Sequence, residues 1–262
     1  MSMSKFFPIG CRHLRAGRSA IIAVLASVVI CTPAAAGDET RKPAEDATTR
    51  PSPPPGAVVL LDGSNLDAWQ AYAPGRAVGY RMVDGAVELE KGNIVTRREF
   101  GDFRLYLEFY CAAEPPEVTG QKHANSGVYL HDRYEIQILG HRGDSLPTDK
   151  EVGAIYGIKG PDRFAVRPDG TWQSFDCVFL APRFDAAGKK VRDARLTMHH
   201  NGVLIHDDVP IPRTTGGARG EEQPTGPIRL QDKNHPVLFR NIWVVPLGET
   251  PDATTRPAAK AG

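Results

Sequence analysis

The sequence has little of what marks the commoner functional classes. Its net charge is +1 over 262 residues, so no strong field invites a nucleic-acid backbone or an acidic lipid surface. Cysteine is scarce: of four, Cys11 and Cys31 fall in the first 31 residues, leaving Cys111 and Cys177. Neither of these has the spacing of a metal or redox motif. Both sit in apolar stretches, where a lone cysteine packs as a small hydrophobe, although a disulfide between them is compatible with an oxidising compartment. No glycine fingerprint for a dinucleotide or nucleoside triphosphate is present. No segment of helical length carries an apolar stripe at i, i+3, i+4 and i+7. The one long apolar run, Ala20–Cys31, is short for a membrane span.

That run has its own meaning. Arg12, Arg15 and Arg18 precede it and Pro33-Ala34-Ala35-Ala36 follows, the layout of an export signal cleaved most simply after Ala36. Cys31 raises lipidation as an alternative, but Ile30 before it is larger than a lipobox accepts. The expected protein is exported, periplasmic or extracellular, with no stable membrane insertion after cleavage. Residues 37–56 are rich in proline, threonine and charge and read as a disordered linker. The hexapeptide DATTRP at Asp46–Pro51 recurs at Asp252–Pro257, in a tail from 248 to 262 with the same composition. One folded domain, 57–247, remains.

Within it, short apolar-alternating runs follow one another between turn signals. In FRLYLEFYC, Phe103, Leu105, Leu107 and Phe109 face one way and Arg104, Tyr106 and Glu108 the other. Asp84-Gly85 and Asn201-Gly202 are hairpin signals. More than ten such strands, with Gly 26 and Pro 22, predict an all-β fold, a two-sheet sandwich.

The stretch richest in chemistry is NSGVYLHDRYEIQIL, Asn125–Leu139. Strand alternation sends Ile136 and Ile138 into a core, with Glu135 and Gln137 together on the other face. By the same rule Val128 and Leu130 oppose Tyr129 and His131. A polar outer face is ordinary for a half-buried sheet. An acid, an amide, a ring and an imidazole on one face also suit a sugar.

Several segments together resemble the 3-keto-disaccharide hydrolase domain, formerly a domain of unknown function. They are LLDGSNLDAWQ, VDGAVEL, GDFRLYLEF, NSGVYLHDRYEIQIL, GAIYGI, TWQSFD, NGVLIHD and LQDKNHPVLFRNIWVVPL, in that order. The resemblance implies a concanavalin A-like jelly roll and cleavage of glycosides already oxidised to a ketone at C3. Two places differ. His131 stands where the family commonly has arginine, and Asp232-Lys233-Asn234-His235-Pro236 stands where it commonly has Asp-His-Gly-Asn-Pro. The insert Pro115–His123 would shape the rim of the cleft.

A 3-keto group acidifies the proton on C2, so such a site needs a base, an electrophile for the C3 oxygen and an acid for the leaving oxygen. Glu135, Asp232 and His235 are the expected catalytic residues. Asn125, His131, Gln137, Lys159, Gln231, Lys233 and Arg240 are the expected substrate-binding ones, with Tyr156 and Trp172 as cleft aromatics. Asn125 fits a turn equally well, and Arg240 fits a structural ion pair. Lys233 is the alternative occupant of the family histidine's place. A divalent cation could be held by Glu135, Asp232, His235 and His131, but no tight ligand spacing calls for one, and no cofactor is expected. The partner is a small carbohydrate. A sugar-binding module without turnover and an adhesion domain remain alternatives on the same fold, and nothing sets an oligomeric state.

Overall fold

The structure, a computed structural model, describes residues 50–141 and 148–248. The export segment, the linker up to Thr49, and the tail beyond Gly248 lie outside them. Fifteen strands are present among the described residues, numbered here in chain order. Eight form the larger sheet: β1 (Val58–Leu61), β3 (Tyr80–Val83), β4 (Ala86–Leu89), β6 (Phe103–Cys111), β9 (Trp172–Leu180), β12 (Ala194–His200), β13 (Val203–Ile211) and β15 (Val237–Pro246). Their order is β13-β12-β9-β6-β15-β4-β3, with β1 also paired to β15. Five form the smaller sheet, β2 (Trp69–Ala71), β5 (Ile94–Thr96), β14 (Arg229–Leu230), β7 (Ser126–Leu130) and β8 (Tyr134–Ile138), in that spatial order. A separate ribbon pairs β10 (Arg183–Phe184) with β11 (Lys190–Arg192).

Alternation builds the core. Leu105, Leu107 and Phe109 of β6 meet Val128, Leu130, Ile136 and Ile138 of the smaller sheet in one buried cluster, so the two sheets pack face to face as an all-β jelly-roll sandwich. At roughly 25 cal/mol per Å² of apolar area, such a cluster is the main favourable contribution to folding. Asp84 and Gly85 (φ +48° and +76°) and Asn201 and Gly202 (φ +52° and +82°) turn the β3–β4 and β12–β13 hairpins. Positive φ at both central residues is what a two-residue turn of matching twist requires.

Parity reverses once in β15. A three-residue step, Arg240 to Trp243, spans the two-residue step from Glu108 to Tyr106 on β6, and the extra residue, Asn241, has φ +47°. This bulge puts Phe239, Ile242 and Val244 all in the core and turns Arg240 and Trp243 outward.

Cys111 and Cys177 are free and buried. Cys177 lies opposite Leu105, six residues along β6 from Cys111, or about 20 Å at strand rise, too far for a bridge. Residues 50–56, placed in the linker from sequence, pass over β15, where Asn241 Nδ2 donates to the Pro51 carbonyl at 3.1 Å.

Candidate active site

The outer face of the smaller sheet carries the site. Register sets Arg229 of β14 opposite Tyr129 of β7, and Tyr129 opposite Glu135 of β8. A guanidinium, an aromatic ring and a carboxylate thus stand in one row across three strands. Arg229 lies over the Tyr129 ring at 3.5 Å and also faces Tyr72 at 4.7 Å, a cation–π arrangement. Its charge is met by Asp132 at 3.0 Å, both side chains being buried.

A loop crosses this row and touches each member in turn. Thr215 Oγ1 accepts from the Glu135 N–H at 2.8 Å. The Gly216 carbonyl accepts from the Tyr129 hydroxyl at 3.1 Å. The Gly217 carbonyl accepts from Arg229 Nη2 at 2.7 Å. Gly217 allows that approach: a Cβ there, where φ is +76°, would stand 2.7 Å from the Tyr129 hydroxyl. Gly127 serves Glu135 in the same way, since a Cβ there would lie 2.7 Å from Glu135 Oε1. The Asn-Ser-Gly glycine is therefore the floor under the carboxylate.

Above the row is a cavity of about 150 Å³ lined by Glu135, Tyr129, Asn125, Gln137, Gln231 and Lys233, with Gln121, Tyr156 and the Gly216-Gly217 backbone at its rim. Gln121 comes from the insert before Asn125. Its Oε1 accepts from Asn125 Nδ2 at 3.1 Å and from Gln137 Nε2 at 3.0 Å, which fixes both amides. Gln231 Nε2 donates to the Tyr129 hydroxyl at 3.1 Å, and its Oε1 has no partner. Glu135 is only 5 % exposed. Burial pushes its carboxyl above the ordinary range, against the opposing pull of the Tyr129 hydroxyl, Lys233 and Arg229. Burial also raises the Tyr129 phenol, and the Glu135 charge adds to that. The arrangement is a partly desolvated acid held beside a cation, with amides around it: a base with hydrogen-bonding support.

The cavity thus brings together Glu135, Asn125, Gln137, Gln231, Lys233 and Tyr156 of the expected residues. Others are placed elsewhere. His131 follows the end of β7, where φ is +53°, so alternation no longer applies. Its ring is fully buried beside Phe103 and Phe179, with Nε2 at 2.9 Å from the Gly101 carbonyl. Lys159 pairs with Asp162 and does not line the cavity. Arg240 pairs with Glu108 and stacks on Trp172, 3.7 Å away, on the outer face of the larger sheet. Trp172 is accordingly no cleft aromatic.

Asp232 holds a loop rather than facing the cavity: its carboxylate accepts from the N–H groups of Gly92 and Asn234, each at 2.7 Å. That clamp positions Lys233 beside Glu135. His235 is half-buried at the entry to β15 and does not line the cavity. Sequence reasoning put Tyr129 on the sugar-suited face and Gln121 in the rim insert without giving either a role, and it passed over Arg229 and the Thr215–Gly217 loop. The Gly-Gly pair was the available signal, because paired glycines mark close backbone approach. Among the described residues no group of three or more His, Cys, Asp or Glu side chains converges to hold a metal ion, and no helix is long and apolar enough to cross a membrane.

Comparison with known proteins agrees with this fold. The model of the 3-keto-alpha-glucoside-1,2-lyase-like domain matches residues 56–245. A crystal structure of a candidate glycosyl hydrolase from Parabacteroides distasonis ATCC 8503 is 32% identical, with TM-score 0.66, covering 74% of this chain and 84% of that one. A second from the same organism is 16% identical, with TM-score 0.55, covering 74% of this chain and 95% of that one, and it shares the fold. No curated protein matches. With the match spanning nearly every strand and the cavity, the chain belongs to the 3-keto-alpha-glucoside-1,2-lyase-like domain family, a carbohydrate-acting domain of glycosidase or lyase kind.

Proposed function

We propose that this protein cleaves 3-keto-glycosides by elimination across C1 and C2 followed by hydration, with Glu135 as the base. The observation that carries the reading is that, among the described residues, the cavity is lined by one carboxylate, Glu135, and by one ammonium, Lys233. Direct displacement at C1 ordinarily uses two carboxylates flanking the bond. A 3-ketone needs only one base, because the carbonyl supplies the acidity.

In this scheme Glu135 takes the proton from C2, and the C–H electron pair forms the enolate with its charge on the C3 oxygen. Lys233 is the group that can meet that charge. The enolate re-forms the ketone as the C1–O bond breaks, leaving a C1=C2 double bond. The departing oxygen takes its proton from water, water then adds across the double bond with hydrogen at C2 and hydroxyl at C1, and Glu135 returns its proton to the solvent. Asn125, Gln137 and Gln231 are the donors and acceptors for ring hydroxyls. The raised Glu135 carboxyl suits the task, since a base of higher pKa receives a carbon-bound proton with less penalty. Family membership supports the 3-keto substrate. Residues 12–36 support export, and a mature protein starting at Gly37 by N-terminal sequencing is the expected result.

The test is incubation of the purified protein with a 3-keto-glucoside in heavy water, followed by mass spectrometry. Release of the aglycone with a 1,2-unsaturated 3-ketone (enone) intermediate and deuterium at C2 is the expected outcome. Aglycone release without C2 exchange would replace elimination by displacement, and sugar binding with no release would leave a binding module.

A further inference from the structure

Backbone carbonyls fix how the amides around the Glu135 cavity are turned. Gln121 Nε2 donates to the Lys150 carbonyl at 3.0 Å, and the Gln121 carbonyl accepts from Asn125 Nδ2 at 2.8 Å. A carbonyl only accepts, so these two anchors settle which end of each amide is the nitrogen. Gln121 must then turn its oxygen inward, where Oε1 accepts from Asn125 Nδ2 and from Gln137 Nε2. Gln231 is fixed by the same logic. The Tyr129 hydroxyl gives its proton to the Gly216 carbonyl, so the Gln231 atom that meets this hydroxyl is the donor, Nε2.

The nitrogens are thus turned to the protein and the oxygens are left over. The two hydrogens of Asn125 Nδ2 meet two acceptors on Gln121, and Gln137 Nε2 commits one of its two. Asn125 Oδ1 and Gln137 Oε1 accept from no group among the described residues, although both side chains are buried and line the cavity. The Glu135 carboxylate beside them is a third acceptor. Lys233 is the one ammonium lining the cavity among the described residues, and the reaction proposed above engages it at the C3 oxygen. An acceptor withdrawn from water is costly to leave unpaired, and a ligand hydroxyl supplies the missing proton. An ether or ester oxygen, which only accepts, would set oxygen against oxygen. In a hexoside with C1, C2 and C3 engaged in the reaction, the hydroxyls left for Asn125 and Gln137 are those on C4 and C6.

We propose that Gln121 makes this cavity a reader of hydroxyl donors, selecting 3-keto-hexosides with a free hydroxyl at C4 or C6 that donates to Asn125 Oδ1 or Gln137 Oε1. Sugars etherified or esterified there are rejected. The inference rests on the 3-keto reading of the Glu135 site and specifies its substrate.

The test compares methyl 3-keto-glucoside with analogues whose C4 or C6 hydroxyl is replaced by hydrogen or by fluorine, which accepts weakly and cannot donate. The purified protein's kcat/KM is measured for each. The matching unoxidised methyl glucosides, which cannot eliminate, report binding alone by calorimetric titration. At C4 or at C6, hydrogen should lower kcat/KM and affinity at least about tenfold, and fluorine should recover none of that loss. Gln121→Met keeps the side-chain length but frees both amides to turn, so the preference for hydroxyl over fluorine should shrink. Turnover without the hydroxyl preference overturns the inference and leaves the reaction standing. Binding that shows the preference, with no turnover, removes the reaction and keeps the donor reading. Fluorine matching hydroxyl at both positions, or a preference unchanged in Gln121→Met, overturns the inference, and a protein that neither binds nor turns over any of these sugars overturns both.

Discussion

Glu135 is where burial and catalysis pull against each other. An unfolded glutamate ionises in the ordinary range, near 4.3; the folded one holds its proton to higher pH. As pH rises through that window the folded state loses stability relative to the unfolded one. Glu135→Gln should therefore be as stable as the parent at neutral pH, or more so, while turnover falls by about 10² to 10⁴-fold. Denaturant midpoints and initial rates at pH 7 check both halves. The parent's rate should fall as pH drops through an inflection above the usual glutamate value. Gly127→Ala offers a geometric control: its backbone is permissive, but the new Cβ would press on Glu135 Oε1. We expect a loss of kcat of tenfold or more, with folding weakened by only about 1 kcal/mol. Glu135, Gln137, Gln231 and Lys233 were legible because alternation and motif order place them. His131 was not, because the rule was carried one residue past the strand into a left-handed turn. For Arg240 the ion pair was legible as an alternative but its face was not, because alternation tells which side of a strand a residue takes, never which of two outer faces of a sandwich it reaches.

Elements differ in how they can be read. The hairpin turns Asp84-Gly85 and Asn201-Gly202 declare themselves, since few residue pairs tolerate positive φ twice. The Thr215–Gly217 loop has no periodicity to read. Its role follows from three long-range hydrogen bonds that only the assembled sheet defines. Gly217→Ala should both strain the backbone, by about 1–2 kcal/mol, and push the Tyr129 hydroxyl aside. Loss of activity beyond the loss of stability, measured well below the melting temperature, is the expected signature. The Asp232 turn has a similar indirect part. Asp232→Ala frees the N–H groups of Gly92 and Asn234 and should lower the rate through a misplaced Lys233. Lys233→Ala should then lower the rate with little further effect when the two changes are combined.

Across the whole molecule, buried histidines set the response to acid. Burial lowers His131 to about 4 and His200 to about 3, and it lowers His206 as well. Unfolded histidines take up protons near 6.5, while these stay neutral in the fold. Their stabilising contribution is thus complete above about pH 6.5 and declines as pH falls toward 4. Urea unfolding across that range should show a slope approaching two protons from His131 and His200, with a further part from His206, and the slope should fall by close to one in His200→Gln.

The position of β15 has a consequence for biosynthesis. This last strand of the domain is central in the larger sheet, paired with β6 on one edge and with β4 and β1 on the other. While the ribosome is still making residues before Val237, β6 has an open edge and β1 has no partner at all. Closure of the sheet waits for the final stretch of the domain, and contacts of such sequence separation form slowly. Throughout translation, then, the larger sheet stays open along its middle until its last strand has been made.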